Sequence, residues 1–129
     1  MTKPTLLSIA KADLKTAKKC VKSDDKYEKN IAAYHTQQAI EKIIKYRAAQ
    51  NGLNLWGHNI SKLIAQSQTV GIIIPNEINK NADIYTLWET VSRYYPTKVI
   101  RRDSIEKAIS VTDQWIYEIE CTENKKQTT

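Results

Sequence analysis

The chain has 129 residues, a net charge of +6 and a pI near 9.3, with 41% hydrophobic and 26% charged residues. That balance suits a soluble globular chain long enough for one core, and three Gly with three Pro are too few for a turn-rich β-sandwich. No run of about eighteen apolar residues exists to span a membrane, and the start MTKPTLLSIAKADLK carries charges where a secretory leader needs an apolar core, so a cytoplasmic location is expected.

The first helix is expected from Thr5 to Lys22, because Leu7, Ala10, Leu14, Ala17 and Val21 recur at 3-4-3-4 spacing. Pro4 suits its first turn. Ser23, Asp24 and Asp25 break the pattern, and any of them can cap the next helix. So short a connection makes the two helices an antiparallel hairpin.

The second helix, Tyr27 to Gln50, has no Pro or Gly and is rich in good helix formers. Its apolar residues spread over a wide arc. Tyr27, Ile31, Tyr34 and Gln38 follow one line, and Ala32, Ala39, Ile40, Ile43 and Ile44 fill the neighbouring face. A helix apolar over so wide an arc is covered on more than one side, so this is the expected central helix. It ends near Asn51-Gly52, where Gly52 can take the left-handed conformation.

Trp56, in the following loop, reads as a core plug. A short helix is expected from His58 to Gln66. Val70 to Ile74 is β-branched and bounded by Pro75, which predicts an extended linker. A fourth helix is expected from Pro75 or Asn76 to about Ser92, with Ile78, Tyr85, Trp88 and Val91 inward, and Pro96 stops it. Asp103 and Glu106 form a capping-box-like start for a fifth helix, with Ile105, Ala108, Ile109, Thr112, Ile116 and Ile119 as its stripe. From Thr122 the tail reads as polar and frayed. Cys20 and Cys121 match no metal or redox spacing and are expected as reduced, partly buried thiols. The fold class is all-α, in one domain over 1–129 with its core at about 5–120.

Three separated pieces then align with one family. They are residues 33–45, AYHTQQAIEKIIK; Gly57-His58-Asn59-Ile60 with Lys62-Leu63-Ile64; and Ser92-Arg93-Tyr94-Tyr95-Pro96. Together with the first helix, they resemble the HEPN domain (higher eukaryotes and prokaryotes nucleotide-binding) over nearly the whole chain. The resemblance implies an up-and-down bundle of four or five helices and a homodimer formed near the second helix and the following loops. It also implies work beside a minimal nucleotidyltransferase, or binding of a nucleotide or RNA. Some members are toxins that cleave RNA through an Arg, four to six residues, then His.

That signature is absent. A His can move the proton of a 2′-hydroxyl and an Arg can hold phosphate charge, but only Arg47 precedes His58, at too long a spacing, and no His follows Arg93, Arg101 or Arg102. A catalytic role would need Arg47 and His58 to meet in space. The leading reading is a non-enzymatic module. Its ligand surface would combine Lys42, Arg47, His58, Arg93, Tyr94 and Tyr95, with Arg101 and Arg102 at the rim, because guanidinium suits phosphate and Tyr faces stack on bases. Gln38 and Glu41 are read as a structural polar network. Arg93 reads equally as a brace from the fourth helix to the second through a carboxylate such as Glu41. His35 reads as an interface or hydrogen-bonding residue. No metal site or cofactor is expected. The alternatives are a ribonuclease with a rearranged Arg47/His58 pair and a structural dimeric scaffold.

Overall fold

The computed structural model describes residues 5–95 and 97–127. They form six helices and no strand: α1 (Leu6–Cys20), α2 (Lys26–Gln50), α3 (Ile60–Gln68), α4 (Asn76–Lys80), α5 (Ala82–Tyr94) and α6 (Arg102–Gln127).

α2 is the centre of the bundle and packs against α1, α3, α5 and α6. Ala32, Ala33, Ala39, Ile40, Ile43, Ile44 and Ala48 on it are wholly buried. At about 100° per residue these positions cover about half of its circumference. Burying each Ile contributes about 1.5–3 kcal/mol, so this one helix organises the core. The strip left open is the line Tyr27, Ile31, Tyr34 and Gln38, with Tyr27 49% and Ile31 44% exposed.

Local chemistry sets the helix ends. The Asp25 carboxylate accepts from the backbone N–H groups of Tyr27 (2.8 Å) and Glu28 (3.1 Å), so the third of the three candidate caps is the one used. Thr5 caps α1 through the Ser8 N–H at 3.0 Å. Gly52 closes α2 with φ +78°, and the Leu53 N–H reaches back to the Ala48 carbonyl at 3.0 Å.

Several expectations are corrected. α3 starts at Ile60 rather than His58, because Asn59 is its cap and accepts from the Lys62 N–H at 3.0 Å. The single helix expected from Pro75 to Ser92 is two, broken at Asn81, whose side-chain amide donates to the Glu77 carbonyl at 2.8 Å and competes with the helical ladder. α6 begins at Arg102, one residue before the expected cap Asp103, and runs to Gln127 past the tail expected to fray at Thr122. Trp56 is 86% exposed and plugs nothing. The stop expected from Pro96 lies outside the described residues; α5 ends at Tyr94. The extended linker expected over Val70 to Ile74 begins later, because Val70 and Gly71 close a turn on α3 through the Ser67 and Gln68 carbonyls, and residues 72–75 form neither helix nor strand; Cys20 and Cys121 are half-buried free thiols.

The extra length of α6 is held by Glu123, which accepts from the Tyr46 hydroxyl and, at 2.8 Å, from Gln50. Burial first, then the Glu123 carboxylate, pushes the Tyr46 phenol up to about 12. The neutral phenol is therefore favoured by folding. The stability it contributes is whole below the unfolded value of about 10 and is lost as pH rises through about 12. Tyr46→Phe is expected to cost about 1–2 kcal/mol at neutral pH. Its deficit against the native chain should shrink as denaturant titrations are moved from about pH 8 to about pH 11.

Candidate functional site

Residues four and seven apart on α2 share a face, so Gln38, Glu41 and Lys45 continue the line of Tyr34 along the open strip, with Glu41 buried at its edge. Two ends of this strip carry chemistry, and α1 borders it on one side.

At one end stands Arg93, on the last turn of α5. Its guanidinium lies 3.7 Å from Glu89 one turn back. The nearby Tyr34 hydroxyl, then the Glu89 charge, raise its pKa above the ordinary arginine value, and the Tyr94 hydroxyl adds to the effect. On α2 the neighbour of Arg93 is therefore the Tyr34 hydroxyl, and the brace expected to Glu41 is not formed. Tyr94 is 69% and Tyr95 52% exposed. The Lys98 ammonium stands over the Tyr95 ring, 5.5 Å from its centroid. One bond holds this loop on α2, from the Asn30 amide to the Lys98 carbonyl at 2.9 Å, and on α5 the Ser92 hydroxyl shares its proton between the Trp88 carbonyl at 2.8 Å and the Asn30 carbonyl at 2.9 Å. One turn earlier on α2, Lys26 lies over the exposed Tyr27 ring.

At the other end, His58 Nδ1 donates to Glu41 at 2.7 Å, and Lys45 approaches the same carboxylate at 3.7 Å. The Glu41 side chain is 5% exposed and the His58 side chain 62%. A buried carboxylate thus draws an exposed imidazole down onto α2. The two ends are seven residues apart, about 10 Å along the helix.

On the bordering side, Asp13 of α1 accepts from His35 Nδ1 at 3.0 Å and from the Lys42 ammonium. His35 also meets the Tyr34 ring edge-on, at 5.3 Å between centroids. Tyr34 thus neighbours both Arg93 and His35.

Of the expected surface, Arg93, Tyr94 and Tyr95 come together, and His58 and Lys42 lie along the same strip. Gln38 donates to Gln37 at 2.8 Å. The remaining residues stand elsewhere. Arg47 is six residues beyond Glu41, turned about 120° round α2. It bonds Gln50 at 3.0 Å and lines a furrow with Ile73 and Trp115. Arg101 pairs with Asp103 at 3.1 Å. Arg102 donates to the carbonyls of Val21 (3.0 Å) and Ser23 (2.7 Å) and to Asp24 (2.8 Å), so it clamps α6 to the α1–α2 turn. Sequence reasoning missed Asp13, Tyr34, Asn30 and Lys98. Tyr34 carried a signal, since it shares its helical face with Gln38 and Glu41. Asp13 and Lys98 carried none, because their partners are distant in sequence. Among the described residues no three His, Cys, Asp or Glu side chains converge as a metal site.

A helical bundle whose central helix carries this tyrosine- and cation-lined strip is the class of protein defined here. The HEPN domain family model matches residues 4–121, and the chain belongs to that family. It is also similar in fold to the crystal structure of TT1696 from Thermus thermophilus, with a TM-score of 0.70 and 21% identity over 89% of this chain and 93% of that one. No curated protein matches it. No helix of the described residues is long and apolar enough to cross a membrane.

His58→Ala should strand the buried Glu41 charge with Lys45 alone and cost about 1–3 kcal/mol. Adding Glu41→Gln removes that charge, so the double variant is expected to be more stable than His58→Ala in thermal or denaturant unfolding. A double variant as unstable as the sum of the single changes would show that the pair is not coupled.

Proposed function

We propose that this chain is a non-catalytic HEPN module that binds a nucleotide or a short single-stranded stretch of nucleic acid on the surface of Tyr34, Arg93, Tyr94, Tyr95 and Lys98. The observation that carries the reading is Arg93, which stands near the Tyr34 and Tyr94 hydroxyls and 3.7 Å from Glu89 while its side chain remains 54% exposed. Such a guanidinium has donors left for a phosphate. The neighbouring phenol faces offer stacking to bases of any sequence. His58 and Lys42 extend the same strip. A homodimer fits the reading as well, since Leu6, Ile9 and Ile31 leave apolar surface exposed on the adjoining helices α1 and α2.

A second reading, RNA cleavage, is favoured by the Asp13–His35 pair. Asp13 occupies Nδ1 and leaves Nε2 to take the 2′-hydroxyl proton as that oxygen attacks phosphorus and the 5′-oxygen departs with a proton from water. Here the Arg and His share Tyr34 as a neighbour, whereas Arg47 and His58 have separate surroundings.

Fluorescence anisotropy with labelled ten-residue oligouridylate should show binding that weakens with salt. Arg93→Ala should lower the log–log salt slope by about 0.7, and Tyr94→Ala with Tyr95→Ala should weaken affinity by about tenfold or more. Calorimetry with ATP and GTP tests the mononucleotide arm. Absence of binding to all three probes overturns the proposal. Cleavage products that vanish in His35→Ala, with binding retained, would favour the second reading.

A further inference from the structure

We infer that Tyr27 and Lys26 form a second subsite two turns along α2 from Tyr34, so that the ligand is a single strand of about three nucleotides or more rather than a mononucleotide. The inference rests on the nucleic-acid reading of the Arg93 surface. Among the described residues a lysine ammonium stands over a tyrosine ring at two places. Lys26 lies 5.3 Å from the Tyr27 centroid, and Lys98 lies 5.5 Å from the Tyr95 centroid. Each pair sets a phosphate-neutralising charge beside a stacking face, the two elements that hold a single strand. Tyr27 is 49% and Tyr95 52% exposed, so both rings are open to a base.

Geometry joins the two pairs into one track. Tyr27 and Tyr34 share a line of α2, and the Asn30 amide holds the Lys98 carbonyl one turn from Tyr27. Tyr27 and Tyr34 are seven residues apart, about 10 Å along the helix, which is too far for one base to touch both. A strand rising about 3.4 Å per stacked nucleotide crosses that interval in about three steps, and a stretched strand crosses it in fewer.

Charge favours a polyanion on this track. Neither Lys26 nor Lys98 has a carboxylate within ion-pair distance among the described residues. The nearby acids are engaged or turned away. Asp25 accepts from the α2 N–H groups, Asp24 is held by Arg102, and Glu89 faces Arg93. Glu28, two residues from Lys26, lies on the opposite side of α2.

Labelled oligouridylates and oligodeoxyuridylates of one to six nucleotides, titrated against the full chain by anisotropy, test this. Affinity should rise by about tenfold or more between two nucleotides and four, in one series or both. Tyr27→Ala should remove that rise. Tyr27→Leu, which keeps apolar bulk without a stacking ring, should remove it equally and serves if the alanine variant loses helical content. Lys26→Ala should lower the log–log salt slope of the hexamer by about 0.7. Equal affinity at every length, or a rise that the Tyr27 variants keep, overturns the inference and leaves the reading of the Arg93 surface standing. Binding at no length overturns both. Self-association of the ligand-free chain that Tyr27→Ala abolishes makes the track a contact between copies and overturns the inference alone.

Discussion

A carboxylate buried in the middle of α2 has to be neutralised or hydrogen-bonded, and much of the candidate surface follows from how that demand is met. α2 is covered by four other helices, yet Asn30, Thr36, Gln37 and Glu41 on it are buried polar residues. Leaving such groups without partners costs kilocalories each, and an unpaired charge costs more. Thr36 is satisfied within its own helix, by the Ala32 carbonyl at 2.8 Å. Glu41 and Asn30 reach outward instead. Glu41 holds His58 and so the end of the α2–α3 segment; Asn30 holds Lys98 and so the loop after α5. Loops otherwise free to vary are stitched to the stiffest element of the bundle. The stitching also explains the exposed Trp56. The α2–α3 segment must run back along α2 to deliver His58, which carries Trp56 over the surface rather than into the core.

The charge excess is unevenly spread. Lys11 and Lys18 of α1 are paired with Glu120 and Asp113 on α6, whereas Lys15, Lys19 and Lys22 have no carboxylate within ion-pair distance among the described residues. The paired lysines add little stability at such exposed positions. The unpaired ones leave a positive field around the C-terminal half of α1. That half leads directly into Lys26 and the α2 turn beside the Arg93 loop, so the excess lies at the end of the bundle where the tyrosines gather. A field of this kind draws polyanions in and raises their local concentration without selecting among them. Selection is left to the geometry around Arg93.

The long helices were legible in the sequence because their signals are local and repeated. The α1 stripe, the wide apolar arc of α2 and the α6 stripe each rest on several periodic residues, and one misread position would not have displaced them. The break at Asn81 was not legible. It depends on one side chain preferring the Glu77 carbonyl, and nothing in composition separates such an Asn from one that stays helical. The continuation of α6 past Thr122 depends on Glu123 meeting Tyr46 and Gln50, which lie more than seventy residues away in sequence. The site divides in the same way. Arg93 with its two tyrosines is a contiguous motif and was visible. Asp13 and Lys98 enter through packing between elements, and single-sequence reasoning has no access to that.

The contrast between Arg93 and Arg102 shows what separates a candidate ligand residue from a structural one of the same chemistry. Both are arginines near a helix end, and both sat in the surface expected from sequence. A guanidinium has five N–H donors. Arg102 uses its donors on two backbone carbonyls and a carboxylate, each of which would otherwise need another partner, and its binding capacity is spent on joining α6 to the α1–α2 turn. Its effect on Asp24, whose carboxyl it holds below the ordinary value, is the same expenditure seen from the other side. Arg93 stands near phenol hydroxyls and makes only a loose approach, at 3.7 Å, to Glu89. Those neighbours leave it donors and an open face. An arginine not yet satisfied has more to gain from an incoming phosphate than one already clamped, so the weight of the site falls on Arg93.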